Sequence, residues 1–275
     1  MLAATFLALG SAALHAGWNL LIKTSDRMLL AAWGQYLVGG LLFVPVLFVI
    51  GAPDAKAVPF LVGSSAIHVI YVLALVRAYE HGDFSFAYPI ARGGGALLAA
   101  FGGVLFLGDH LSGLAWLAIA VVVGGLASLV RPHVTRLALL WAGLTAATIG
   151  TYTTFDAAGA RRSTGFSYGI TLVFGAGVGL SVFLLATGRG AGIGAAVRAD
   201  WLRYLVGGAC ATLAYCLVLA GVRLAPVGYV AALRESSVVL GAGAGWLFLH
   251  ERLGRARLVS AAVVAAGLVL LIVWR

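Results

Sequence analysis

Leu29–Gly51 reads LLAAWGQYLVGGLLFVPVLFVIG and carries no charged side chain along its whole length. A helix or strand in water needs a face of polar groups, and this run has almost none to offer. Its solvent must be lipid. In hydrocarbon only helices and closed barrels satisfy every backbone group, and barrel strands alternate in polarity over about 10 residues. This run is about twice that long without alternation, so it reads as a helix crossing a core that takes about 20 helical residues. The stretch from Arg257 to Trp274 reads the same way.

The rest of the chain agrees. Of 275 residues, 62% are hydrophobic and 10% charged, with a mean hydropathy of +1.05, where a soluble domain carries roughly 25% charged residues. The formal charge of +9 could suggest a nucleic-acid partner, but the basic residues stand singly at the ends of apolar runs, where they flank membrane spans. No nucleic-acid partner is expected. Cys210 and Cys216 lie about 120° apart on one helix and read as packing residues, and no spacing of Cys, His, Asp or Glu matches a metal-ligand set. Neither metal nor cofactor is expected. The apolar stretch from Met1 to Ala16 lacks a basic leader and continues through Ile22, so it reads as the first span and not as a secretory signal.

Apolar runs of spanning length fall at 2–22, 30–50, 59–79, 84–107, 112–130, 137–155, 167–187, 202–222, 226–249 and 257–274. They are separated by punctuation such as Gly51-Ala52-Pro53-Asp54, Gly108-Asp109-His110 and Arg161-Arg162. Shifting the sequence by 142 residues lays Phe106-Leu107-Gly108-Asp109-His110-Leu111 on Phe248-Leu249-His250-Glu251-Arg252-Leu253, and Arg92 on Arg234 without a gap. Two copies of a five-span unit must enter the membrane from opposite sides, because five is odd. The expected fold is therefore all-α and integral to the membrane. Ten transmembrane helices form a single transmembrane domain over 1–275, as two inverted five-helix repeats (about 1–131 and 136–275) around a central cavity, as in secondary transporters. The 38 glycines, among them Gly93-Gly94-Gly95, Gly175-x-Gly177-x-Gly179 and Gly241-x-Gly243-x-Gly245, let helices approach closely.

Arg92 and Arg234 each stand eight residues into a span, about 12 Å deep at 1.5 Å per residue. An arginine near the centre of a membrane helix costs about 2.5–3.5 kcal/mol on insertion scales, so something must compensate it. One reading is a polar cavity in which one or both guanidiniums meet an acidic substrate; the other is an internal ion pair, with Glu235 or Asp156 as partner. Ser237 shares the face of Arg234, and Ser85 and Tyr88 share that of Arg92. The first span has a polar stripe of Ser11, His15, Trp18, Asn19 and Lys23, which lipid would not accept. Span 6 has one in Thr148, Thr151, Tyr152, Phe155 and Asp156. Span 3 offers His68, Tyr71 and Tyr79, and span 8 Thr212 and Tyr215. Aromatic and hydroxyl groups of this kind line cavities for small organic solutes; for any one of them, hydrogen bonding between helices is the plainer role. His15 is also a candidate proton carrier, since imidazole changes charge near neutral pH.

Ala87-Tyr88-Pro89-Ile90-Ala91-Arg92-Gly93 followed by Phe106-Leu107-Gly108-Asp109 resembles the fourth-span motif of EamA-like members of the drug/metabolite transporter superfamily. Ala225-Pro226-Val227-Gly228 through Arg234-Glu235-Ser236-Ser237 and Leu249-His250-Glu251-Arg252 is similar to their ninth span. The resemblance covers the chain in length, span number and repeat, and departs from the family in carrying Asp109 where Glu is usual. It implies a ten-helix basket that moves metabolites by alternating access. The family's cargoes include amino acids, purines, sugar phosphates and cations. The stretch His15-Ala16-Gly17-Trp18-Asn19-Leu20-Leu21-Ile22-Lys23 resembles a subgroup associated with phosphonate-utilisation loci.

The reading is a transporter, exporter or facilitator, of a small polar metabolite that is anionic or zwitterionic, such as an amino acid or organophosphonate. Arg92 and Arg234 would hold its acidic group, with His15, Trp18, Asn19, Tyr71, Tyr88, Tyr152, Tyr215 and Ser237 around it. It is expected as a multi-pass protein of the cell (inner) membrane, with the bilayer and a small-molecule substrate as partners and room for a homodimer. The competing readings are a component of a lipid-carrier flippase and a membrane-embedded lipid-modifying enzyme; the second lacks the clustered acids or histidines that such chemistry needs, and no enzyme activity is expected. Loop charge, with more Lys and Arg on the side opposite the termini, favours both termini outside, whereas the family resemblance favours both inside.

Overall fold

The computed structural model describes residues 1–23, 25, 27–81, 84–128, 135–240 and 255–274. Within helices, the side chains of 19–23, 84–88 and 255–257 are also outside the described set. All regular structure among the described residues is helical. The elements are α1 (Leu2–Lys23), α2 (Met28–Ile50), α3 (Val58–His81), α4 (Phe84–Leu107), α5 (Gly113–Ala127), α6 (Arg136–Arg161), α7 (Gly165–Ala186), α8 (Ile193–Gly221), α9 (Val227–Arg234) and α10 (Arg255–Val273). Five segments are long and apolar enough to cross a bilayer: Met28–Ile50, Ala55–His81, Pro89–Leu107, Gly165–Ala186 and Ile193–Gly221. Shorter apolar helices cover Leu2–Trp18, Gly113–Ala127 and Leu258–Val273. The distribution of side chains is that of a protein dissolved in lipid. Large apolar groups point outward, Phe48 being 90% and Val49 86% exposed, while Ser11, His15, Ser64, His68, Arg92, Asp156 and Glu235 are buried. The chain is a multi-pass membrane protein.

Local chemistry sets the helix ends. Hydroxyls of Ser112, Thr135 and Thr164 accept from the backbone N–H three residues on, at 3.1 Å each, and so start α5, α6 and α7. They fill donor positions that no helical carbonyl reaches. Pro45 sits in a short 3-10 turn, Val44–Val46, inside α2, where its missing N–H is tolerated. Gly108, at φ +68°, ends α4 in the left-handed region, and the turn lets Asp109 N–H reach the Gly103 carbonyl at 3.0 Å.

Three helices differ from the sequence expectation. The run at 137–155 is part of a longer helix, α6, that reaches Arg161. It lies deep among its neighbours, which is why it tolerates Thr145, Thr148, Thr154 and Asp156, all buried. The run at 202–222 starts earlier, at Ile193, and kinks at Asp200 (φ −121°, ψ 18°). The ninth run is not continuous: α9 stops at Arg234, Glu235 N–H turns back to the Ala232 carbonyl at 3.0 Å, and helix resumes over 236–240. The matching stretch Phe248–Leu253, the Gly241–Gly245 pattern and Lys23 beyond its backbone fall outside the described residues.

Packing is tightest where glycine meets backbone. α2 crosses α8 at Gly39 and Gly208, where a Cβ on Gly39 would stand 2.5 Å from the Gly208 carbonyl oxygen. α2 crosses α7 at Gly177, where a Cβ would stand 2.6 Å from Leu37 Cα. The other main contacts join α1 to α8 and α9, α3 to α6 and α7, α4 to α6 and α9, and α5 to α10.

Candidate substrate site

The two deep arginines have different surroundings. Arg92, on α4, is buried and meets Glu235 in a two-pronged pair, Nη2–Oε1 at 2.7 Å and Nε–Oε2 at 3.2 Å. Both charges are shielded from lipid and water, with side-chain exposures of 7% and 3%, and the planar fork of the guanidinium matches the carboxylate. Of the two partners the sequence offered, Glu235 is the one used.

Arg234 ends α9 one residue earlier and meets different groups. Its Nη2 lies 3.4 Å from His15 Nδ1, and its Cζ stands 5.6 Å from the centre of the Tyr215 ring. A guanidinium only donates, so His15 accepts at Nδ1. Arg234 Nε is buried without a hydrogen-bond partner among the described residues, and so are Trp18 Nε1, Ser236 Oγ and Ser237 Oγ. Trp18 sits edge-on to His15, ring centres 4.8 Å apart. Buried donors left unpaired are expensive, about 1–3 kcal/mol each. Here Ser236 and Ser237 follow Arg234 closely in the chain, and Trp18 stands against its partner His15.

Between the two arginines lies a cavity of about 20 Å³ bordered by Arg92, Arg234, Glu235, Ala96, Ile149 and Thr153, among others. That is room for about one water.

Tyr71, Tyr152 and Tyr215 come together, though not on that cavity. With Tyr36 they box the His68 ring, whose centre is 4.1 Å from that of Tyr152, 5.7 Å from Tyr215, 5.9 Å from Tyr36 and 6.3 Å from Tyr71. His68 Nδ1 faces the Ser64 carbonyl at 2.9 Å, which fixes the ring. Beside the box, Asp156 is fully buried and accepts from Tyr168 Oη at 3.0 Å and from Tyr215 Oη. Asn19 and Tyr88 lie on α1 and α4, but their side chains are outside the described residues.

Tyr36, Ser64 and Tyr168 were not anticipated. Tyr36 carried a signal, since it and Gln35 are polar interruptions in an otherwise apolar run; a Ser or Tyr near a helix end carries none. The partners of Asp109 were also unforeseen: Arg161 Nη2 at 2.7 Å and the backbone N–H of Val227 at 2.6 Å. Arg161 Nε in turn donates to the Val222 carbonyl at 3.0 Å. This clasp joins the turn after α4, the end of α6, the end of α8 and the start of α9.

Residues 136–273, half of the chain, match the EamA-like transporter family. The chain belongs to that family. It is accordingly a membrane transporter of the drug/metabolite kind. A solved structure described as "Crystal structure of protein" shares the EamA fold seen here over 99% of each chain, with a TM-score of 0.78 at 14% identity. No curated protein matches the sequence. The EamA match begins where α6 begins, so Arg234, Glu235, Tyr215 and Asp156 lie inside it, and Arg92, His15 and Trp18 outside it.

Proposed function

We propose that this EamA-like protein is an alternating-access carrier for a small anionic or zwitterionic metabolite, such as an amino acid or organophosphonate, in the cell's inner or plasma membrane. The observation that carries this reading is the asymmetry of the two arginines. Glu235 neutralises Arg92, while the partners of Arg234 among the described residues are neutral, His15 and the Tyr215 ring. A carboxylate or phosphonate bound there would accept from Arg234, Trp18 Nε1 and the Ser236 and Ser237 hydroxyls, which have no other partner among the described residues.

Ten spans in two inverted repeats belong to this proposal, and the pattern of helix contacts supports them. Exchanging each helix with the one five places along turns the α1–α8 contact into α6–α3, α1–α9 into α6–α4, and α2–α8 into α7–α3, all of which exist. The contacts α2–α7, α4–α9 and α5–α10 map onto themselves. Repeats related in this way rock against each other to open the centre to one side and then to the other, and the small cavity fits the closed midpoint of such a cycle.

The test is flux of radiolabelled amino acids and phosphonates into proteoliposomes. Arg234→Ala should abolish flux of whichever solute is carried, by about tenfold or more for the loss of charge-assisted bonds, with folded protein still recovered in detergent. If Arg234→Ala carries solute as well as the parent protein does, Arg234 is not the substrate anchor and the reading falls.

A further inference from the structure

Asp156 stands apart from the substrate groups. It is fully buried on α6, and none of the ion pairs among the described residues includes it. Three hydroxyls surround it: Tyr168 from α7, Tyr215 from α8 and Ser64 from α3. His68 of α3 and Tyr152 of α6 stack beyond Tyr215. Arg234 of α9 lies on the ring face of that same Tyr215; Arg92 of α4 is taken up by Glu235. Asp156 does not border the central cavity, so no solute group reaches it in this conformation. A proton does not need that room.

We propose that Asp156 is the proton-binding group of the carrier and that Tyr215 couples it to the substrate anchor. This rests on the carrier reading above. A carboxylate buried without a cation is costly, and it can shed its charge by forming an O–H bond with a proton from water on the side to which the centre is open. The proton leaves to water on the other side once the centre has opened there. Tyr215 donates its hydroxyl to the acid and presents its ring to Arg234, so both sites hold one side chain. Arg234 as a bare cation favours the charged acid; an anion seated on Arg234 removes that field. Anion binding and proton binding therefore favour each other, and the coupling is reciprocal. The two travel in the same direction.

The test needs no known substrate. Infrared difference spectra of the full chain in nanodiscs, between acid and alkaline pH, read the C=O stretch of neutral carboxyl groups, and nine Asp and Glu residues keep the background small. A buried-carboxyl band that titrates in the parent protein should be lost in Asp156→Asn. A band unchanged by that substitution, or no titrating band in the parent, overturns the assignment. Where Asp156→Asn yields no folded protein, Tyr215→Phe keeps the acid and must displace the band; an unmoved band again overturns it. Proteoliposome flux separates the two readings. Flux indifferent to a pH gradient defeats the coupling alone, while absence of flux for every solute tried, with the band in place, defeats the carrier reading alone.

Discussion

Arg92 and Arg234 occupy equivalent places in the sequence and have opposite fates. Removing Arg92 leaves Glu235 charged and buried, a change worth about 3–5 kcal/mol, so Arg92→Ala should sharply lower the thermal unfolding midpoint in detergent. Taking away both charges in Arg92→Ala with Glu235→Ala should recover part of that loss; a double variant as unstable as the single would refute the pairing. Arg234→Ala should leave stability near the parent value, since its contacts among the described residues are with neutral groups. The sequence made both arginines conspicuous, because a guanidinium deep in an apolar run is costly wherever it points. It did not say which would be neutralised. That depends on which arginine the Glu235 carboxylate reaches, and the tightened turn after Arg234 has no proline or glycine to announce it.

Helices in this protein meet through absent side chains. At Gly39 and Gly177 an added methyl would press on backbone atoms of α8 and α2, which cannot rotate away. Overpacking of this kind costs about 1–3 kcal/mol, so Gly39→Ala or Gly177→Ala should lower the unfolding midpoint. Gly143, exposed on α6 with nothing near its Cβ position, is the control: Gly143→Ala should be neutral or stabilising by about 0.5–1 kcal/mol. Midpoints that fall equally at all three sites would show that close approach is not what these glycines provide. The long apolar helices were legible because lipid exposure leaves only one kind of side chain. α6 was harder to bound. One face is exposed while another buries Thr145, Thr148, Thr154 and Asp156, so its mixed polarity hides where it ends.

The Asp109 clasp ties together four elements at the end that carries both termini. Ser112 Oγ and the Trp274 carbonyl, 3.4 Å apart, mark that same end. Asp109→Asn weakens both the ion pair with Arg161 and the bond to the start of α9. A charge-assisted bond of about 1.5–3 kcal/mol corresponds to about tenfold or more in the open population. A cysteine placed at Ser236, with Cys210 and Cys216 replaced, should then react about tenfold faster with a water-soluble maleimide. An unchanged rate would mean that the clasp does not gate the centre. Asp109 was visible in the sequence only as a member of a motif; its role needed three elements far apart in the chain to converge.

The pairing of Arg92 with Glu235 bears on how such a chain could have arisen. In the alignment that lays Arg92 on Arg234, Glu235 falls on Gly93. A protein assembled from two copies of the first half would bury two guanidiniums and no acid to meet them. One built from two copies of the second would carry an acid for each, and no unneutralised cation to offer a cargo. Under the proposed repeat, the position that decides which arginine is neutralised is the one at which the two halves differ.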